Sequence, residues 1–125
     1  MNFLVDTSIL IDLLRQNNDA IELLESARLD GPLHVSEITR VELLTGMRTH
    51  EERPTRLLLS LLNWVAVDDE IAEAAGAYGR EWLTSHKGID VADLIIAATA
   101  SVRDLQLLTL NVKHFPMFPN LQRPY

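Results

Sequence analysis

Three carboxylates, Asp6, Glu42 and Asp93, are the side chains of this 125-residue chain best placed to do chemistry. Asp6 ends the short apolar run Phe3-Leu4-Val5. Glu42 lies inside a stretch with apolar residues from Ile38 onward, and Asp93 precedes the nearly apolar run Leu94 to Ala100. A buried carboxylate without a partner is costly, and three that converge repel one another unless a cation lies between them. The chain has no cysteine. Disulfides, thiol catalysis and zinc–thiolate sites are therefore excluded, and hard oxygen ligands suit Mg2+, or Mn2+, better than zinc. Such a cation activates water and neutralises charge on a reacting phosphate.

Each acid also has a plainer reading. Asp6-Thr7-Ser8 reads as a helix cap. Thr39-Arg40-Val41-Glu42 fits a T-x-x-E capping box, although the apolar residues from Ile38 put the helix start nearer Ser36 and leave Glu42 in mid-helix. In Asp90-Val91-Ala92-Asp93, Asp90 reads as the cap. Asp93 falls one turn in, where only a cation is expected to compensate its charge. Ser8 reads as a hydrogen-bonding residue, because no His and Asp stand at a triad spacing. His34, His50, His86 and His114 show no paired ligand spacing, with His114 the best exception. Trp64 and Trp82 read as core residues.

The elements that must position these side chains follow from apolar periodicity. Phe3-Leu4-Val5, Leu33-His34-Val35, Trp64 to Val67 and Leu105 to Thr109 read as short strands. Helices are predicted between them. Ile9, Leu10, Leu13 and Leu14 mark the first, with Asn17-Asn18-Asp19 breaking it and capping the next. Ile21, Leu24 and Leu29 mark that second helix. Ile38, Val41, Leu43 and Leu44 mark a third that weakens or ends at Gly46, and a fourth runs from Glu51 to Leu62. Asp68-Asp69 caps a long helix to about Ser85, and the last runs from Asp90 to Val102, with Val91 among its apolar positions. Strands alternating with helices predict an α/β fold with a mostly parallel sheet of four to five short strands and helices on both faces. Ligands bind such sheets at the carboxyl ends of the strands. A parallel sheet puts Asp6, Thr109 and Asn111 on one rim, within reach of the helix-borne Glu42 and Asp93.

Hydrophobic residues make up 47% of the chain and charged residues 23%, the balance of a folded protein. No repeat or linker interrupts it, so residues 1–125 read as a single domain. No apolar run approaches the ~20 residues of a membrane helix, and nothing at the N-terminus resembles a signal peptide. A cytoplasmic protein without membrane contact is expected. The formal charge of −7, from 18 acidic and 11 basic residues, does not favour polyanions in general. Acids gathered around a divalent cation invert that field locally, and a basic protein partner would also suit a negative surface.

Four segments in order resemble the PIN-domain family. They are the apolar opening with Asp6-Thr7-Ser8, Thr39-Arg40-Val41-Glu42-Leu43 followed by Gly46, Asp93-Leu94-Ile95-Ile96-Ala97-Ala98-Thr99-Ala100, and Leu108-Thr109-Leu110-Asn111-Val112-Lys113-His114-Phe115. Length and pattern are most similar to the VapC-type toxins. The resemblance implies a PIN-like three-layer α/β sandwich and an Mg2+-dependent endoribonuclease, with Asp6, Glu42 and Asp93 as its acidic metal-binding and catalytic positions. It implies in-line attack of activated water on a phosphodiester, leaving a 3′-hydroxyl and a 5′-phosphate. It further implies a homodimer, an RNA substrate and inhibition by a VapB-like antitoxin. Ser8, Asp90 and Asn111 would support the site. Arg40, Arg48, Arg53 and Arg56 cluster around the Glu42 helix as a solvated face, or, for Arg40 and Arg48 first, as contacts to RNA phosphates. The departure lies in the closing segment, where many relatives carry an Asp at the place of Asn111 or His114; the fourth ligand is thereby open.

Three rival readings remain on these residues. A phosphoacceptor receiver domain needs an early acidic pair, and Asp6 stands alone before Thr7. An Asp-nucleophile phosphatase needs D-x-D, and residue 8 is Ser. A catalytically degenerate PIN domain, acting as a binding or regulatory module, would fit the non-acidic closing segment.

Overall fold

The chain alternates strand and helix along its length, and the computed structural model describes residues 2–125 of it. In order it runs β1 (Phe3–Val5), α1 (Thr7–Leu14), α2 (Asn18–Ala27), β2 (Leu33–Ser36), α3 (Glu37–Gly46), a 3-10 turn (Thr49–Glu51), α4 (Glu52–Ser60), β3 (Asn63–Val65), α5 (Asp69–Trp82), α6 (Val91–Arg103), β4 (Gln106–Leu108) and a second 3-10 turn (Val112–His114). All four strands are parallel, in the order β3-β2-β1-β4. Phe3 pairs with both Leu33 and Gln106, so β1 is central.

Successive strand residues point to opposite faces, and both faces of β1 are covered. Val5, with Val35 and Leu108, packs under Ile9, Leu10, Leu24, Leu43 and Leu59 from α1 to α4. Leu4, with Leu107, packs on the other face against Ile96, Ala97 and Ala100 of α6 and against Phe115. Helix α5 lies outside α6, joined through Ile71, Ala75, Leu94 and Ala98. A Cβ added at Gly79 would stand 3.3 Å from Leu94 Cδ1, so the absence of a side chain lets α5 come close. The result is the three-layer α/β sandwich, with the sheet wholly parallel and four-stranded. No helix among the described residues is long and apolar enough to cross a membrane.

Several expected boundaries shift. The stretch predicted as one helix from Glu51 opens as the 3-10 turn, and α4 then ends at Ser60. Strand β3 ends at Val65, α2 ends at Ala27 and α5 at Trp82. Four apolar positions that mark the predicted helices are exposed instead of buried: Ile21 is 36% exposed, Leu29 82%, Val41 56% and Val91 67%. Leu29 lies past the end of α2, and Val91 is the first residue of α6. Val41 sits midway between Thr39 and Leu43, which face the core one turn apart, so it points away. A buried threonine holds the position its period would have given to an apolar residue.

Candidate metal-dependent active site

The strand order reverses at β1. The connection through α1 and α2 leads to β2 on one side, while β4 returns to lie on the other. Such a reversal opens a crevice at the carboxyl ends of the two diverging strands, and Asp6 follows β1 there. Its backbone N–H donates to the Leu108 carbonyl at 2.9 Å, which extends the β1–β4 ladder by one bond. Asp6 stands in the N-cap position of α1, but its carboxylate makes no capping bond. Oδ2 accepts instead from the hydroxyls of Ser8 at 2.8 Å and Thr109 at 2.7 Å. Ser8 Oγ in turn accepts from the Leu110 N–H at 3.2 Å, and Thr109 Oγ1 from the Asn111 N–H at 2.9 Å. The carboxylate is thus tied to the segment leaving β4 and is 3% exposed. Both hydroxyls use the same oxygen, which leaves Oδ1 to a ligand.

Glu42 lies in mid-helix. Ser36 caps α3 by accepting from the Ile38 N–H at 3.2 Å, so Glu42 has no capping duty. Its Oε1 accepts from the Thr7 hydroxyl at 2.7 Å, and Thr7 Oγ1 also lies 3.0 Å from the Thr39 hydroxyl. Burial pushes the Glu42 carboxyl above the ordinary range. The Thr7 hydrogen bond opposes this, and the charges of Asp6 and Asp90 add to it.

Asp90 and Asp93 form a reciprocal capping box at the start of α6. Asp90 Oδ1 accepts from the Asp93 N–H at 2.9 Å, and Asp93 Oδ2 accepts from the Asp90 N–H at 3.1 Å. His114 Nδ1 lies 3.2 Å from the same Asp93 oxygen. The expectation that only a cation compensates Asp93 is therefore corrected: it holds a structural bond, and a histidine faces it. These partners do not cancel its burial. The Asp93 carboxyl is pushed up to about 6, first by burial and further by the charges of Asp90 and Asp6, against the Asp90 N–H bond and His114. Asp6 thus acts electrostatically on both Glu42 and Asp93, and the four acids share one field.

Of the supporting residues, Ser8 stands beside Asp6, and Asn111 is exposed and enters the site through its backbone N–H. His114, not Asn111, is the closing-segment side chain that meets an acid. Arg40 is engaged elsewhere, with Nε and Nη2 bonded to Glu37 at 2.7 and 3.0 Å and its guanidinium 4.1 Å over the Trp64 ring. Trp64 is half-buried rather than core. Arg48 is exposed. Sequence reasoning set Thr109 on the rim with Asp6 but found neither its bond to that acid nor the hydroxyls of Thr7 and Thr39 beside Glu42. Their signal was a polar residue at a buried position of an apolar period.

Among the described residues no three acidic or histidine side chains are already drawn into a metal cage. The donor chemistry nevertheless fits a hard divalent cation. Mg2+ keeps several waters and is commonly held through only one or two carboxylates, so a closed cage is not required. Mutually repelling carboxylates on the buried Asp6 and Asp93 and the half-buried Glu42 are the groups such an ion stabilises.

Residues 3–116 match the PIN-domain family. The chain is 45% identical over 123 residues to ribonuclease VapC19 of Mycobacterium tuberculosis, covering 98% of each protein. It is 47% identical over 122 residues to ribonuclease VapC10 of the same organism, covering 98% of this chain and 92% of that protein. A solved toxin–antitoxin complex from Klebsiella pneumoniae contains a chain that superposes with a TM-score of 0.83 at 35% identity, over 99% of this chain and 98% of the other. An acid-lined switch point on a parallel sheet, and these near full-length likenesses, place the chain in the PIN-domain family, among its VapC-type members.

Proposed function

We propose that this chain is a divalent-metal-dependent endoribonuclease, the toxin of a toxin–antitoxin pair, with Asp6, Glu42 and Asp93 as its metal-binding and catalytic acids. The carrying observation is the placement of Asp6. It sits at the β1–β4 switch point, its Oδ2 is held by two hydroxyls, and its charge adds to the rise that burial gives both Glu42 and Asp93. The ribonuclease names of its relatives support RNA as the substrate, and the Klebsiella complex supports a protein antitoxin as the partner. Mg2+, with Mn2+ as a substitute, is the proposed ion. When bound, it lowers the pKa of water and neutralises charge developing on the phosphate.

The chain's own residues set the geometry. Ser8 and Thr109 fix the rotamer of Asp6, and Thr7 orients Glu42. The Asp90 N–H and His114 orient Asp93. One PIN-like domain over residues 1–125, paired as a homodimer and acting on RNA in the cytoplasm, completes the reading.

The test is cleavage of RNA by purified protein with Mg2+ or Mn2+, with and without EDTA, beside the Asp6→Asn variant. Cleavage that needs the metal and is lost in the variant is expected. Cleavage undiminished by chelation overturns the metal mechanism, and a folded protein that binds RNA without cutting it favours a binding module. Growth arrest on expression, relieved by co-expressing the adjacent reading frame, tests the toxin role.

A further inference from the structure

A cleft of about 360 Å3 opens beside the acidic site, between the end of α1, the end of α3 and the start of α4. Glu42 and Glu51 lie on its wall, together with Leu14, Leu43 and Met47, and Arg15 and Arg48 line it as well. Its size is at the lower end of that of small-molecule sites. Among the described residues Arg15, Arg48, Arg53, Arg80 and Arg123 stand outside the chain's ion pairs, and of these Arg15 and Arg48 line this cleft. Arg28, Arg40, Arg56 and Arg103 are paired with Glu25, Glu37, Glu52 and Asp68. Among the described residues neither Arg15 nor Arg48 has an acidic side chain in ion-pair range. Glu51, the acid nearest in sequence to Arg48, spends Oε1 on the Arg48 backbone N–H at 2.9 Å. Arg15 directly follows α1, where a cation also favours the helix dipole. That role needs the charge but does not explain why it borders a cleft that also holds Glu42 and Arg48.

On a chain of charge −7, an anion needs a local concentration of positive charge to bind. Arg15 and Arg48 supply it once a bound cation offsets Glu42, with Glu51, the other acid of the lining, turned to the Arg48 backbone N–H, and guanidinium matches phosphate in bidentate geometry. The apolar part of the lining, Leu14, Leu43 and Met47, suits the flat face of a base splayed from a single strand. Resting on the ribonuclease reading above, we propose that this cleft binds the single-stranded RNA nucleotide flanking the cleaved bond. Arg15 and Arg48 hold its phosphates, Leu14, Leu43 and Met47 take its base, and the strand leaves the cleft at Glu42. Arg40, bound by Glu37 and stacked on Trp64, has no part in it.

The experiment measures binding of a short fluorescein-labelled single-stranded RNA of mixed sequence, with Ca2+ replacing Mg2+ and the RNA checked intact on a gel. Arg15→Gln and Arg48→Gln are each expected to weaken binding about tenfold, the loss of one charge-assisted contact. Each is also expected to reduce the salt dependence by about one phosphate contact. Met47→Ala is expected to weaken binding without changing the salt slope. Arg80→Gln, on α5 and outside the cleft, is the control and is expected to bind as the wild type does. All these side chains except Met47 are exposed, and melting curves report whether each variant is folded. A double Arg15→Gln, Arg48→Gln variant with unchanged affinity and salt slope overturns the proposal while leaving the ribonuclease reading intact. If that variant keeps RNA but loses its antitoxin, the cleft is a protein-binding site and the proposal is wrong. A wild-type protein that neither binds nor cuts RNA overturns the cleft and the ribonuclease reading together.

Discussion

The residues around Asp6 and Asp93 are held in different ways, and their substitutions should therefore differ. Asp93 combines a structural bond to the Asp90 N–H with a carboxyl raised to about 6 from an ordinary 3.8. An acid whose folded pKa is raised contributes its full stability below the ordinary pKa and loses it as pH rises through the folded value. The metal-free wild type should therefore lose stability between about pH 4 and 7 relative to Asp93→Asn. That gap reaches at most ~3 kcal/mol at neutral pH. Thermal melts of both proteins in EDTA across this range check it, and a constant gap contradicts it. The same variant should lose most metal-dependent cleavage. Asp90→Asn should keep most of it, because Asn caps nearly as well as Asp. An active Asp93→Asn beside a folded, dead Asp90→Asn would reverse the assignment. Thr109→Val removes the donor to Asp6 Oδ2 and the acceptor for the Asn111 N–H, both at a fully buried site. A loss of about 1–3 kcal/mol is expected, with metal affinity measured by calorimetry falling ~10–100-fold, as when a ligand's supporting bond is cut.

At the scale of elements, the site depends on how helices begin. Helix α1 starts at Asp6 without using its carboxylate, and α3 starts at Ser36, which leaves Glu42 in the second turn facing Thr7. Helix α6 starts at Asp90, just after Gly88, whose φ of +94° lies in the region L side chains avoid. A Cβ there would meet His114 Nε2 only at an ordinary 3.8 Å, so the conformation and not crowding requires glycine. Gly88→Ala is expected to cost about 1–2 kcal/mol and to loosen the start of α6. Chemical denaturation measures the cost. Hydrogen exchange at the Asp93 and Leu94 amides, faster than at Ala98, locates it. Uniform exchange along α6 would show that Gly88 does not govern the capping box.

The molecule as a whole gathers acids at one end of its sheet, and that gathering should be relieved by a bound cation. Anything that binds only the folded state stabilises it by mass action. Mg2+ added to the metal-free protein is expected to raise Tm by several degrees, equivalent to ~1–3 kcal/mol at concentrations well above Kd. The gain should vanish in Asp6→Asn. Equal shifts in both proteins would mean that the ion acts elsewhere, for example by screening the net charge of −7.

Strand–helix alternation, the buried strand runs and the N-caps at Asn17, Ser36, Asp68 and Asp90 were legible in the sequence. They depend on local periodicity and on side chains bonding their own next turn. Asp6, Glu42 and Asp93 were legible as carboxylates in apolar surroundings. Helix ends were less so: Glu51 reads as helical but lies in the 3-10 turn, and Leu29 reads as core but extends past α2. What no local pattern contains is the strand order. Only the placement of β4 beside β1 brings Thr109 to Asp6 across 103 residues and makes their ends a switch point. Only the packing of α1 on α3 joins Thr7 to Glu42, and only the tertiary fold lays Arg40 over Trp64 and leaves Arg15 and Arg48 bordering one cleft. Periodicity states which face of an element is buried, and hydrogen-bond partners distant in sequence are chosen by which faces finally meet.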